Sequence, residues 1–317
     1  MKTLNNFGAI SQKLKHPILT WGVFDGVHRG HRLLINAVIR WAKRIRSNAL
    51  VITFDNHPAR VLNLHNDPLF ITSLPHRLIL LAKLGVDATL VLNFTRKLSQ
   101  LPAEDFLSKL IKTVNPAGVV VTDNISFGRN RGGNIQTLKA ILDRHKIPLK
   151  IIKTLKYKGQ TISSSLIRQA VKNGDLKTAQ KMLGRPVAIL GTVVHGEGRG
   201  RKLGFPTANL NPHHEILPNR GVYIARAFCL KECDKLTRPF KALVNIGVKP
   251  TFHPRLKRPI ENIEVFLLNY DIKKYGSLYG QDILVEIIRH LRPEKKFATP
   301  DLLIRQINKD IQRAKEI

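Results

Sequence analysis

Apolar residues in the first 183 positions follow two alternating patterns. Short unbroken runs at 18–24, 49–54, 88–92, 118–121 and 149–152 read as strands buried on both faces. Between them apolar positions recur every three or four residues, as in Leu33, Leu34, Ala37, Val38, Trp41, Ala42 and Ile45, and again over 74–84, 103–112 and 135–144. That spacing predicts helices, and strand-then-helix repetition implies a parallel α/β sheet.

The texture changes near Gly184-Arg185-Pro186, which breaks a helical stretch at 176–183. β-rich segments follow at 187–194, 221–228, 240–246, 263–268 and 283–290, separated by Gly, Pro and Asn turns. Only the tail after Pro300 returns to helical spacing, with Leu302, Leu303, Ile307, Ile311 and Ala314. The pattern predicts a small barrel with a terminal packing helix, and hence two domains, 1–183 and 184–317.

A chain of 317 residues with 43% hydrophobic content can bury two cores. Apolar runs never reach the 18 residues of a membrane span, and the first residues lack the apolar core of a secretory signal, so a cytoplasmic protein is expected. Cys229 and Cys233 have neither CxxC spacing nor clustered histidines, which argues against a redox pair or a metal site. Net charge is +31, divided as +20 over 1–183 and +11 over 184–317. An excess spread this evenly attracts phosphates without naming a partner. Aromatics make up 6% and no RNA or DNA motif is present, so no specific nucleic acid and no membrane are expected. The expected state is a monomer or weak homo-oligomer acting on small molecules.

Two stretches carry chemistry. The first strand runs directly into GVFDGVHRGH and then a helix. Ligands of open α/β sheets sit where strands end, and a helix N-terminus favours phosphate, so Gly22, Phe24, Asp25, Gly26, His28, Gly30 and His31 are candidates there. The second stretch is GTVVHGEGRGRKLGFPTANL at 191–210. Gly196, Gly198 and Gly200 would let backbone approach an oxyanion, Arg199, Arg201 and Lys202 add charge, and Thr207 and Asn209 offer oxygens to a metal ion. It is not a P-loop, since no GK[ST] closes it, and not a dinucleotide fingerprint, since no helix is expected after the glycines. The plain alternative is a mobile basic hairpin.

GVFDGVHRGH resembles the HxGH signature of nucleotidyltransferases, in the FDGxHxGH form of the bacterial bifunctional riboflavin kinase/FAD synthetase family. Further blocks are similar to that family in order: FDNHP at 54–58, Glu104-Asp105-Phe106, FGRNRGGN at 127–134 and SSSLIR at 163–168. The segment before FG departs, reading Thr122-Asp123-Asn124-Ile125 where the family has a glycine and an aromatic. In the second half LGRPVAILGTVVHGEGRGRKLGFPTANL, ALVNIGVKPTF, IEVFLLNY and LRPEKKF resemble the family's kinase blocks.

The resemblance implies a Rossmann-like FMN adenylyltransferase domain followed by a riboflavin kinase barrel. Riboflavin, FMN and ATP would be substrates, FAD the final product and Mg2+ the cofactor. It places ATP on the first turn, on Ser163, Ser164 and Ser165 and, in the kinase, on the glycine loop. His28, His31 and Arg168 would serve adenylyl transfer. His57, Pro58, Asn124 and Phe127 would meet flavin in the first domain, and Arg292 and Glu294 in the second. Thr207 and Asn209 would hold Mg-ATP, and Glu264 would be the kinase's catalytic carboxylate. On residues alone, Glu264 reads equally as an exposed strand residue and Ser163 as a helix cap. Two rivals stand beside this reading: a kinase with a degenerate adenylyltransferase half, and a basic nucleic-acid-binding protein.

Overall fold

Six short strands carry the first half of the chain in a computed structural model describing residues 1–8, 14–56, 58–62, 69–213, 215–231, 235–248 and 261–316. They are β1 (Lys2–Leu4), β2 (Ile18–Trp21), β3 (Ala49–Phe54), β4 (Ala88–Leu92), β5 (Gly118–Thr122) and β6 (Leu149–Ile152). All neighbours pair in parallel, in the order β1-β4-β3-β2-β5-β6. Helices α1 (Arg29–Arg44), α2 (Leu74–Leu84), α3 (Ala103–Val114) and α4 (Ile135–Arg144) cover the two faces. Alternate strand residues serve opposite cores. Leu19, Ile52, Leu90 and Val121 pack with Leu107, Leu110 and Leu138 of α3 and α4. Ile18, Val51 and Val120 pack with Ile35 and Val38 of α1 and Leu81 of α2. A small hairpin, β7 (Lys156–Tyr157) and β8 (Gln160–Thr161), follows the sheet.

Strand order sets the site. β2 lies between β3 and β5, so the chain builds outward on one side and then returns to the other, leaving a crevice at the carboxyl ends of β2 and β5. The first strand is shorter than its apolar run suggests. β2 stops at Trp21, because Phe24 takes φ 51° and turns the chain out of the sheet.

The chain divides into two compact units, Met1–Leu166 and Ile167–Ile317. Helix α5 (Ser164–Lys172) spans that division, and α6 (Leu176–Leu183) lies in the second unit, where Gln180 Nε2 donates to Ile287 O at 3.2 Å. The break at Gly184 is a left-handed C-cap of α6, φ 71°.

The second unit is a closed antiparallel barrel. Its strands are β9 (Val187–Val194), β10 (Ala208–Pro212), β11 (Gly221–Lys231), β13 (Phe240–Val248), β14 (Glu261–Leu267) and β15 (Asp282–Arg292), with β12 (Lys235–Leu236) paired to the end of β11. The order β11-β13-β14-β10-β9-β15 returns to β11 and leaves no edge in the ring. The terminal helix α7 (Pro300–Lys315) is capped by Thr299 and lays Ile311 and Ala314 against Ile224, Leu243 and Phe266 of the barrel's outer face.

Candidate functional site

The turn after β2 is held by a buried carboxylate. Asp25, 1% exposed, accepts from Ile71 N–H (2.9 Å) and Thr72 N–H (3.0 Å), while Gly26 N–H donates to Thr72 Oγ1 (2.9 Å). Asp25 thus braces the turn rather than facing outward to an anion. Phe24 and Val27 both take positive φ (51° and 39°), a strain of about 1–3 kcal/mol each that this bracing offsets. Gly26 has φ 80° and faces the Ile71 side chain, so the 71–72 segment is part of the site, although its sequence carries no motif.

The turn delivers the two histidines together. His28 is the N-cap of α1, and its Nδ1 accepts from His31 N–H at 3.3 Å, which places the proton of the neutral ring on Nε2. The rings stack with centroids 3.5 Å apart, and Phe24 stands edge-on to His31 at 5.2 Å. Gly30 keeps clear the space beside His28, since a Cβ there would lie 3.2 Å from the imidazole. Ser164 Oγ donates to Asp25 O (2.9 Å), joining the serine motif to this turn, and Ser163 Oγ accepts from Leu166 N–H (3.3 Å) as a cap. Arg168 lies one helical turn beyond Ser164 on α5, half-buried and in the second unit. Ser165 is exposed.

Of the expected flavin residues in this unit, His57 lies outside the described residues, and Pro58 begins the short helix Pro58–Val61. Phe127 is buried in the core, edge-on to Trp21 at 5.6 Å, at the neck of a loop closed by paired backbone bonds to Gly133. Asn124 Oδ1 accepts from Thr122 Oγ1 (2.9 Å), so the threonine that stands for a glycine orients the asparagine amide.

In the barrel, register assembles the site. Residues opposite one another in antiparallel strands share a face. One continuous rung runs Val194, Asn209, Glu264, Asn245, Val222, Arg292 around the barrel. The adjoining rung, Ile224, Leu243 and Phe266, is the one covered by α7, so both rungs lie on the outer face. Inward positions on the same strands, Val244, Ile246, Ile263 and Val265, are buried and apolar. Glu264 is half-buried, and its Oε1 accepts from Asn262 Nδ2 at 3.1 Å.

The glycine loop folds onto this rung. A Cβ on Gly196 would stand 1.9 Å from Asn209 Nδ2, and one on Gly200 would stand 2.4 Å from Phe205 O and 3.0 Å from Thr207 Oγ1. Thr207 immediately precedes β10 and Asn209 lies within it, two apart and hence on one side. The loop contains a single helical turn, Arg199–Lys202, introduced by Gly198 at φ 69°; the sequence had suggested no helix there. His195 roots the loop by stacking on Tyr279 at 4.0 Å. Three strands round from Glu264, Arg292 Nε and Nη2 donate to Asp310 Oδ2 of α7 (2.9 and 2.8 Å). Glu294 lies over Gly247, where a Cβ would meet its Oε1 at 2.3 Å.

Asn245, Asn262 and Asp310 are the polar residues that motif reading missed. Asn245 was detectable as a lone amide in the otherwise apolar run 242–246. Among the described residues no group of three or more His, Cys, Asp or Glu side chains could hold a metal.

Comparison with known proteins matches both units. The FAD synthetase family model matches residues 10–166, and the riboflavin kinase family model matches residues 183–317. A bifunctional riboflavin kinase/FMN adenylyltransferase of Buchnera aphidicola subsp. Schizaphis graminum is 31% identical, covering 100% of this chain and 98% of that one. The protein of that name from Escherichia coli (strain K12) is 33% identical, covering 100% and 97%. A solved structure titled as a macrolide-efflux protein from Streptococcus pneumoniae is 26% identical, with a TM-score of 0.81 over 100% of both chains. In the present chain, among the described residues, no helix is long and apolar enough to cross a membrane. With both units matched and identity above 30% along its whole length, the chain belongs to the bifunctional riboflavin kinase/FMN adenylyltransferase family.

Proposed function

We propose that the barrel rung is the riboflavin kinase site and that the turn after β2 is the FMN adenylyltransferase site. The observation that carries the first assignment is the pairing of Glu264 with Asn209 of the neighbouring strand, beside a glycine loop that folds onto Asn209 and Thr207. Glu264 orients the 5′-hydroxyl of riboflavin and takes its proton as the oxygen attacks the γ-phosphorus of ATP. The bond from that phosphorus to the β–γ bridging oxygen breaks, and ADP leaves. Thr207 and Asn209 offer a hydroxyl and an amide oxygen, hard neutral donors of the kind Mg2+ takes beside phosphate oxygens, so these residues would hold it. Bound there, Mg2+ would neutralise phosphate charge. Backbone N–H groups of the glycine loop cradle the same phosphates.

At the first site the phosphate of FMN attacks the α-phosphorus of ATP, the α–β bridging bond breaks, and pyrophosphate leaves without a protein nucleophile. His28 Nε2–H, His31 and the N-terminus of α1 stabilise charge on the pentavalent phosphorus. Phe24, Gly22 and Gly30 shape the pocket. Asn124, with its amide oriented by Thr122, faces the flavin. We place the functional boundary at 183/184 and both reactions in the cytoplasm, with no specific nucleic-acid partner.

Paired variants test the division. Glu264→Gln should cost about 10²–10⁴-fold in FMN formation while FAD formation from supplied FMN persists. His28→Ala combined with His31→Ala should do the reverse. Equal loss of both activities in either protein refutes separate sites, and a wild-type enzyme that makes FMN but no FAD and no pyrophosphate establishes the kinase-only rival.

A further inference from the structure

Asn245 occupies a place on the barrel rung that the proposed chemistry leaves unassigned. It stands directly opposite Glu264 on one side and Val222 on the other, with Arg292 one strand further. Strands lie about 4.8 Å apart, so its amide is one strand from the hydroxyl-activating carboxylate and two from the arginine. β13 alternates cleanly around it. Ala242, Val244 and Ile246 point into the barrel, and the outward neighbours are Leu243, under α7, and Gly247, under Glu294. Among the described residues the half-buried amide of Asn245 makes no hydrogen bond.

A half-buried amide between Val244 and Ile246 destabilises the strand relative to a β-branched residue. Its position suits a polyhydroxyl ligand. Resting on the assignment of Glu264 as the group that meets the 5′-hydroxyl, we infer that Asn245 reads the ribityl chain of riboflavin and discriminates it from flavins lacking that chain. The ribityl chain spans about 6 Å from ring nitrogen to terminal carbon at ordinary bond lengths. With its 5′-oxygen on Glu264 and its ring directed toward Arg292, the intervening hydroxyls must cross the Asn245 rung position. An amide offers both a donor pair and an acceptor, matching hydroxyls that do both. Nucleotide phosphates lie on the other side of Glu264, at Thr207 and Asn209, so Asn245 faces flavin and not ATP.

Asn245→Leu keeps the side-chain size and removes both hydrogen-bonding functions; Asn245→Val is the second variant, better suited to a strand. The expected result is a riboflavin KM raised about 10–100-fold, the loss of one or two hydrogen bonds, with the ATP KM within about twofold of wild type. Affinity for lumiflavin, the ring without the ribityl chain, read by fluorescence quenching, should be unchanged in both variants. The inference is overturned if riboflavin KM stays at the wild-type value, or if lumiflavin affinity falls as far as riboflavin affinity does. Glu264→Gln in the same assay separates the two levels. If it still makes FMN, the site reading itself fails; if it is inactive while Asn245→Leu behaves as wild type, only the ribityl assignment fails.

Discussion

Gly196 is where the basic loop and the candidate metal-holding edge meet. A methyl group on its Cα would stand 1.9 Å from Asn209 Nδ2, so the amide must swing away from the position it holds beside the loop, while its backbone keeps the register with Glu264. Gly196→Ala should therefore raise the ATP KM of FMN formation at least about tenfold, while the exposed position leaves the melting temperature near wild type. FAD synthesis from supplied FMN is the internal control, and an unchanged ATP KM would show that the loop does not close on the nucleotide. Gly247 lies beneath Glu294, whose carboxylate end a Cβ there would displace. Asp25 shows how a motif residue can serve from beneath: its carboxylate is spent on backbone N–H groups of 71–72, so the FDG turn is shaped by it.

The terminal helix reads in the sequence as a packing element, and the structure gives it a second task. Asp310 of α7, 1% exposed, holds Arg292 by two hydrogen bonds and accepts Gln306 Nε2 on its other oxygen (2.8 Å). Asp310→Ala leaves a largely buried guanidinium unpaired and should destabilise the barrel by about 3–5 kcal/mol, measured by denaturant unfolding. Arg292→Met together with Asp310→Leu should cost clearly less than the sum of the single changes; strict additivity would show that the pair is not coupled. Elements were legible where apolar runs were long. The runs at 49–54 and 187–194 coincide with β3 and β9, because nothing competes with burial along them. β1 escaped because Lys2-Thr3-Leu4 is too short and polar to show a pattern. β10 escaped because Asn209, Asn211 and Pro212 mask a strand whose outward positions serve the site. Motifs singled out the histidines, Thr207, Asn209 and Glu264 as candidates. Asn262 and Asp310 were invisible, since only cross-strand register and tertiary packing bring them to the candidate site, and Asn245 showed only as a lone amide within the run 242–246.

At the scale of the molecule, alkaline pH is the informative stress on the barrel. Burial raises the Tyr223 phenol above its usual 10.0, and burial likewise raises the Cys229 thiol above 9.0. Both groups are neutral when protonated, so the fold favours the protonated form. Their contribution is complete below the unfolded values and is lost as pH rises through the higher folded ones. Thermal melts of the second unit should hold steady below about pH 9 and fall progressively through pH 9–11. Tyr223→Phe should flatten the upper part of that fall, and an unaltered slope would assign it elsewhere. In the first unit the parallel sheet supplies a crevice at its switch point, whereas the second offers the outside of a closed ring, so the two sites rest on unrelated architectural devices.

The parity of β13 and β14 has a further consequence. Val244, Ile246, Ile263 and Val265 hold the interior, and Asn245 and Glu264 alternate with them on the outside. Sliding one strand past the other by a single residue would turn amide or carboxylate inward and valines out. A barrel slipped by one residue therefore cannot keep its interior while losing its chemistry, so that folding error cannot accumulate as stable but inactive enzyme. Substitutions confined to inward positions can, by the same geometry, tune durability without touching the reacting groups.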